Sequence, residues 1–147
     1  MEKEKLLDIK DLSVTYKTED GIVYAVNNLN LTLEPKETLG FVGETGAGKP
    51  TTAMPIMGLL PPPPGKVTSG EIMFDGKDML KIGDKERRGI LGEKISMIFQ
   101  DPMTSLNPLF TIGNQIEESL RKHTSLDKDQ RQKRMVELLT LVGINQP

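Results

Sequence analysis

Apolar and polar residues alternate in two segments near the start of the chain. The apolar positions are 7, 9, 12, 14 and 16 in the first segment and 29, 31 and 33 in the second. A period of two is typical of strands with one buried face, and the dipeptide Asp20-Gly21 between the segments is a turn signal. The pattern predicts an antiparallel hairpin or meander.

Two short apolar runs are typical of strands that are buried on both faces. Residues 38–42 lead directly into a glycine-rich segment, and residues 95–99 end at Gln100. Between these runs, the turn signal Asp75-Gly76 predicts a short hairpin of residues 71–74 and 77–80. Because a buried strand followed by a loop and a helix indicates an α/β core, we expect a mixed sheet with an antiparallel portion.

Two helices and a spacer are expected in the middle of the chain. Residues 51–60 are apolar enough for a buried helix, and the four prolines 61–64 predict an extended, stiff spacer. Asp84 is expected to cap a weak helix that follows.

Two amphipathic helices are expected near the end of the chain. Apolar residues fall on one helical face at positions 112, 116 and 120, and again at 135, 138, 139 and 142. Asp127 and Gln130 have the spacing of a capping pair at the start of the last helix.

Composition excludes several kinds of protein. The 147 residues carry 19 basic and 21 acidic side chains, a net charge of −2, so no global field favours nucleic acid and phosphate recognition must be local. There is no cysteine, which excludes disulfides and thiolate ligands, and the single His123 cannot build a metal cluster. The N-terminus is charged where a signal peptide is apolar, and no run approaches the ~20 apolar residues of a spanning helix.

The candidate chemistry lies in one glycine-rich run, called the phosphate loop below: Gly43-Glu44-Thr45-Gly46-Ala47-Gly48-Lys49-Pro50-Thr51. It differs at one residue from the pattern G-x-x-x-x-G-K-[ST]. Glycines let backbone amides close around phosphate oxygens, the lysine brings a positive charge to the β- and γ-phosphates, and the next helix N-terminus adds a favourable dipole. We expect a nucleotide-binding loop here, with an ordinary glycine-rich turn as the alternative.

Three runs together resemble the ATP-binding subunits of ABC importers of the oligopeptide and dipeptide (peptide/nickel) class. They are the run from Gly43 to Thr52, Met57-Gly58-Leu59-Leu60-Pro61, and Met97-Ile98-Phe99-Gln100-Asp101-Pro102-Met103-Thr104-Ser105-Leu106-Asn107-Pro108. The resemblance covers nearly the whole chain and implies an α/β fold of the P-loop NTPase, ABC ATPase kind. It implies that residues 1–147 are the N-terminal part of a nucleotide-binding domain, with the antiparallel β subdomain and phosphate-loop core at about 1–100 and the Q-loop and start of the helical subdomain at about 100–147.

The resemblance also implies ligands and roles. ATP and Mg²⁺ are the expected cofactors, with all the residues of the phosphate loop in contact with the nucleotide. Gln100 matches the Q-loop glutamine, which in the family senses the magnesium and γ-phosphate site, so it is a candidate catalytic and metal-contacting residue. Tyr16 falls where the family places an aromatic ring that stacks on adenine, although an alternating strand also presents tyrosine for ordinary packing.

The partners implied by the resemblance belong to the cytoplasmic face of the cell membrane. They are two transmembrane permease subunits, a second ATP-binding subunit and, indirectly, an extracytoplasmic solute-binding protein; no nucleic acid is expected. Such an assembly couples ATP binding and hydrolysis to uptake of peptides or related solutes. A GTPase is disfavoured because the guanine-reading motif N-K-x-D does not occur in the sequence.

Several motifs of the family do not occur in these 147 residues: the L-S-G-G-Q signature loop, the strand ending in Asp-Glu (Walker B), and the switch histidine. Since phosphoryl transfer depends on groups that position water and neutralise charge, we expect this chain by itself to show no ATP turnover. The alternative to a working subunit is a non-catalytic truncated remnant or interaction module that keeps the fold.

Two prolines depart from the expected pattern. Pro50 occupies the position of the Ser or Thr hydroxyl that ligates magnesium, and it has neither a hydroxyl nor a backbone N–H. Proline near a helix start is tolerated, so the expected cost of Pro50 is chemical. Pro55 falls within the expected helix, where it removes a hydrogen bond and clashes with the carbonyl of Thr51, which predicts a kinked or shortened helix.

Overall fold

The computed structural model describes residues 5–44, 48–61, 63–99 and 105–145. They belong to two compact units, Met1–Leu91 (the first unit) and Gly92–Pro147 (the second unit), which we describe separately. The elements of the first unit are β1 (Leu7–Thr18), β2 (Gly21–Leu33), α1 (Lys49–Met57), β3 (Gly65–Phe74), β4 (Lys77–Asp78) and α2 (Asp84–Ile90). Those of the second unit are α3 (Ile112–His123) and α4 (Lys128–Leu141).

Among the described residues of the first unit, four antiparallel strands form a sheet in the order β2-β1-β3-β4. The pairing of β1 with β2 confirms the predicted N-terminal hairpin. The second predicted hairpin is also confirmed, with Asp75 and Gly76 at φ 49° and 74° in the turn between β3 and β4. The most deeply buried side chains of the core are Ile9, Leu12, Val14, Ile72 and Met79.

A β-bulge in β1 explains the irregular spacing of its apolar residues. Ile9 and Leu12 are three residues apart, which in a regular strand would place them on opposite faces, yet both are buried. The register of β1 shifts at this point against both neighbouring strands. Asp11, at φ 48°, exchanges two hydrogen bonds of 3.0 and 3.1 Å with Asn30 on β2. On β3, a Cβ at Gly70 would lie 2.5 Å from the Cα of Leu12.

Helix α1 begins earlier and ends earlier than the apolar pattern predicts. It ends at Met57 because Gly58 adopts a left-handed conformation, φ 67°, and its amide donates to the carbonyl of Pro55 at 3.1 Å. Pro55 itself lies inside the helix and is buried. The helix therefore passes through Pro55, and its end is set by the glycine cap.

The prediction of an extended proline spacer is wrong for the described residues of the run. The amide of Gly65 donates to the carbonyl of Pro61 at 2.8 Å, which closes a turn immediately before β3. The carbonyl of Pro64 accepts from the amide of Lys17 on β1 at 2.9 Å. These hydrogen bonds outweigh the local preference of consecutive prolines for an extended helix.

The two predictions of buried strands at residues 38–42 and 95–99 are also wrong. Residues 38–44 and 96–99 have no regular secondary structure, and Val42 and Ile98 are 98% and 97% exposed. An apolar run becomes a strand only where another strand pairs with its amides and carbonyls. Within the described residues, every strand pair is antiparallel and none includes these runs, so the expected mixed sheet is not present there.

The cap of α2 differs by one residue from the prediction. Gly83 is the N-cap and Asp84 is the first helical residue. The carboxylate of Asp84 interacts favourably with the helix dipole but does not cap a backbone amide.

No helix in the described part of the chain has the length and apolar character needed to cross a bilayer.

In the second unit, both predicted helices are confirmed. Asp127 and Gln130 form the predicted capping box at the start of α4, with hydrogen bonds of 2.9 and 3.0 Å. Arg131 on α4 donates to Glu117 on α3 at 3.3 Å and to the carbonyl of Leu126 at 2.7 Å. One arginine thus ties α4 both to α3 and to the loop between them.

Candidate nucleotide-binding site

The phosphate loop enters α1 through a glycine that has no substitute at this position. Gly48 is the N-cap of α1 and has left-handed dihedral angles, φ 75° and ψ 11°. A Cβ on this residue would lie 2.4 Å from the carbonyl oxygen of Ala25 on β2. Gly48 is therefore needed both for its backbone conformation and for the close approach of α1 to the sheet.

Lys49 is the first residue of α1, and its side chain folds back over the loop. Its Nζ donates to the carbonyl of Gly43 at 2.5 Å and to the carbonyl of Glu44 at 2.7 Å. A lysine ammonium is a compact charge on a flexible stem, so small rotations move it between neighbouring acceptors. The loop thus holds one positive charge beside the start of α1, within reach of an anion bound there.

The N-cap residue of α1 provides no side-chain cap for the backbone amides of the first turn. Gly48 has no side chain to accept from them, and the amide of Thr52 makes the first intrahelical bond, to the carbonyl of Gly48 at 3.0 Å. The amides before Thr52 have no acceptor within a helix, and with the helix dipole they favour an anion at this end. Pro50 lacks an N–H and contributes nothing to this group.

Three hydroxyl groups lie in or against this first turn. The Tyr16 hydroxyl donates to Oγ1 of Thr51 at the long distance of 3.5 Å. The hydroxyl of Thr52 donates to the carbonyl of Gly48 at 3.2 Å, and this residue is only 7% exposed. Each hydroxyl therefore has a partner inside the protein.

Tyr16 is half-buried and brings its ring to the same turn. A Cβ on Gly65 would lie 3.0 Å from Cε1 of Tyr16, so the ring packs closely against the first residue of β3. The phenol reaches α1 through Thr51. This position is compatible with adenine stacking and with ordinary packing, and the adenine contact stays a prediction.

The residues of the first turn do not fit a magnesium site. Mg²⁺ demands near-octahedral oxygen ligands, and the phosphate-loop pattern supplies one from the hydroxyl that follows the lysine. Pro50 occupies that position, is exposed, and has no such oxygen. The neighbouring hydroxyls of Thr51 and Thr52 are engaged as described above. Over the described residues, no group of three or more His, Cys, Asp or Glu side chains could hold a metal ion.

Several predicted site residues lie outside the described part of the chain: Thr45, Gly46, Ala47 and Gln100. Their contacts with nucleotide and metal stay predictions. Conversely, no sequence pattern predicted a role for Ala25, whose carbonyl limits residue 48 to glycine, or for Thr52, whose hydroxyl donates to the carbonyl of Gly48. The position of Thr52, four residues after Gly48, is a usable signal because a helical threonine often bonds back to that carbonyl.

Comparison with known proteins points to one family. Residues 26–147 match the family described as ABC transporter. The chain is 50% identical to the oligopeptide transport ATP-binding protein OppD of Bacillus subtilis (strain 168) over 143 residues, which cover 97% of this chain and 40% of that protein. It is 42% identical to the dipeptide transport ATP-binding protein DppD of Escherichia coli (strain K12), covering 97% of this chain and 43% of that protein. The chain thus spans about 40% of the length of these curated relatives.

Solved structures give the same answer for the fold. The chain superposes on the dimeric bacterial ABC transporter cassette MJ0796 with a TM-score of 0.79 and 30% identity, covering 95% of this chain and 58% of that one. The same cassette in a post-hydrolysis state bound to ADP and Pi gives a TM-score of 0.76 at 28% identity, with the same coverage. These matches confirm the predicted fold class and the resemblance to peptide-type ATP-binding subunits, and the chain belongs to the ABC transporter family.

Proposed function

We propose that this chain provides the ATP-binding phosphate loop of an ABC importer subunit that couples ATP binding and hydrolysis to the uptake of peptides or related solutes. The observation that carries this proposal is the placement of Gly48 and Lys49 at the first turn of α1, whose N-cap residue has no side chain to cap it. The relatives named for oligopeptide and dipeptide transport support the class of solute.

ATP binding requires Lys49 to exchange partners. Its ammonium leaves the carbonyls of Gly43 and Glu44 for the β- and γ-phosphates, which are stronger acceptors because they carry charge. The amides of the first turn of α1 then meet the same phosphates.

A binding titration with a lysine variant tests this proposal. Lys49→Ala is expected to weaken ATP binding about ten- to a hundred-fold, the usual cost of losing a hydrogen bond to a charged group. Lys17→Ala is the matched control, since Lys17 is exposed on β1 and distant in sequence from the loop. Circular dichroism of both variants checks that they fold. Equal ATP affinity in both variants would show that the phosphate loop does not bind nucleotide.

The identity of the base is tested in the same assay. Competition of ATP and GTP for the natural chain is expected to favour ATP, in line with the names of the relatives. A preference for GTP would support a different class of phosphate-loop NTPase.

The proposed assembly has two ATP-binding subunits and two transmembrane permease subunits at the cytoplasmic face of the membrane, supplied by an extracytoplasmic solute-binding protein. The dimeric state of the MJ0796 cassette supports the pairing of ATP-binding subunits. This chain alone is proposed to be inactive in ATP turnover, because the family's Asp-Glu pair and signature loop do not occur in its 147 residues.

Contact with the permease is proposed to involve the segment 100–108. Of its described residues, Leu106 is 50% exposed. Since these 147 residues contain no cysteine, Leu106→Cys introduces one defined attachment point in this part of the subunit for cross-linking within the assembled transporter. Ile22→Cys on the N-terminal hairpin, 63% exposed, is the control. Cross-links to the permease only from position 22 would contradict this assignment.

A further inference from the structure

We infer that Mg²⁺ does not strengthen nucleotide binding by this chain, because the first turn of α1 lacks the hydroxyl with which the phosphate-loop pattern ligates the ion. This inference rests on the proposed function, since it assumes that the phosphate loop binds nucleotide. It concerns one residue, Pro50, which stands where the phosphate-loop pattern has Ser or Thr.

The position of Pro50 at the start of α1 means that the missing hydroxyl and amide are lost from the phosphate loop itself. Proline is accommodated at the start of the helix, next to Lys49, so the fold keeps the lysine and the preceding glycine in place. Pro50 is exposed on the first turn of α1. At that place it removes a hydroxyl ligand for the metal and an amide donor for the phosphates, while Lys49 and the Lys49 amide remain.

The two neighbouring threonines do not replace the missing hydroxyl. Successive helical residues point about 100° apart, so Thr51 points in a different direction from residue 50, and its Oγ1 accepts from the Tyr16 hydroxyl at 3.5 Å. Thr52 is buried and donates to the carbonyl of Gly48 at 3.2 Å. These contacts hold both hydroxyls away from the direction of residue 50, so bringing either oxygen to that position would require rotating its side chain out of the contact that now positions it.

Electrostatics predicts the direction in which Mg²⁺ changes the affinity for ATP. Mg²⁺ bound to ATP neutralises part of the phosphate charge that attracts Lys49 and the helix dipole. In a loop with a hydroxyl ligand, coordination by the protein offsets that loss. In this chain nothing in the first turn of α1 offsets it, so Mg²⁺ leaves the affinity for ATP unchanged or lowers it.

The test compares ATP binding with Mg²⁺ and with EDTA, at equal ionic strength, by isothermal titration calorimetry of the natural chain and two variants. Pro50→Ala restores the amide without a hydroxyl, whereas Pro50→Ser restores both. Pro50→Ala is expected to bind ATP more tightly by a similar factor in Mg²⁺ and in EDTA. Pro50→Ser is expected to gain a further factor of about ten or more in Mg²⁺ only, the usual size of one interaction with a charged group.

The outcomes separate the inference from the proposed function. Equal or weaker binding in Mg²⁺ for the natural chain and Pro50→Ala, together with stronger binding in Mg²⁺ for Pro50→Ser, supports the inference. Tenfold tighter binding in Mg²⁺ by the natural chain would overturn it, as would a Pro50→Ser variant that responds to Mg²⁺ no more than Pro50→Ala. If none of the three proteins bound ATP in either buffer, the proposed function would fail and the inference with it.

Discussion

Replacing Pro55 with alanine is expected to stabilise the first unit. Pro55 lies inside α1, where an alanine amide would donate to the carbonyl of Thr51. Proline in a helix interior is ~3 kcal/mol less favourable than alanine. Against this gain, the buried ring of Pro55 loses two methylene groups, which contribute ~0.8 kcal/mol each when buried. The difference predicts a net stabilisation of about 1.4 kcal/mol in the free energy of unfolding.

Urea unfolding followed by tyrosine fluorescence measures this change in the relevant part of the molecule. The chain has two tyrosines and no tryptophan, and both Tyr16 and Tyr24 lie in the first unit. With a typical urea dependence of ~1–3 kcal/mol per M, the midpoint is expected to rise by roughly 0.5–1.4 M. Pro50→Ala is the control in the same helix, and it is expected to change the midpoint little because proline is tolerated there.

A lower midpoint for Pro55→Ala than for the natural chain, with Pro50→Ala unchanged, would refute this reasoning. It would mean that packing of the buried ring outweighs the gain in helix propensity at this position. Because Pro50→Ala also serves the nucleotide titrations, one set of variants separates the chemical effect of the first proline from the structural effect of the second.

Two further predictions concern stability. Gly48→Ala is expected to lower the urea midpoint by an amount corresponding to about 1–2 kcal/mol or more, from left-handed strain and the contact with β2, whereas Gly40→Ala, whose Cβ meets nothing within 4 Å, leaves it unchanged. Burial raises the pKa of Asp78, but hydrogen bonds from the Lys81 side chain and the Leu80 amide outweigh it and lower that pKa below its ordinary value. The stability contributed by this carboxylate is complete above its unfolded pKa and is lost as pH falls through the folded pKa, so the urea midpoint should fall on acidification below about pH 4. Asp78→Asn is expected to lose that part of the acid dependence, and an unchanged pH profile would contradict the assignment.

Secondary-structure elements were predictable from the sequence where the signal came from residues close together in the chain. The hairpin of β1 and β2 follows from alternation and a turn, and the capping box of α4 follows from Asp127 and Gln130. The strand predictions for residues 38–42 and 95–99 were wrong because strand formation also depends on residues far away in the chain. Their apolar character is suited to burial, but strand formation depends on a partner elsewhere, which periodicity does not report.

For the site, residue types were predictable but contacts were not. The motif identified Gly48 and Lys49 because it requires the conformational freedom of glycine and the positive charge of lysine at a fixed spacing. The contact between Tyr16 and Thr51 joins residues 35 positions apart and depends on how α1 packs against the sheet. No pattern of spacing could have identified the carbonyl of Ala25 as the group that excludes a side chain at position 48.

The bulge in β1 limits how this sequence can diverge. Asp11 forms hydrogen bonds with the side chain of Asn30 on one neighbouring strand. On the other neighbouring strand, the backbone of Leu12 lies so close to Gly70 that a side chain at position 70 would clash with it. These contacts join three strands, so a single substitution at one of the four positions should be poorly tolerated. Substitutions that compensate for each other should occur together. Strand β1 also carries Tyr16, four residues beyond Leu12. A change at the bulge would therefore also affect the contact of Tyr16 with Thr51 on α1, because a slip of one residue would turn the tyrosine ring to the opposite face of the sheet.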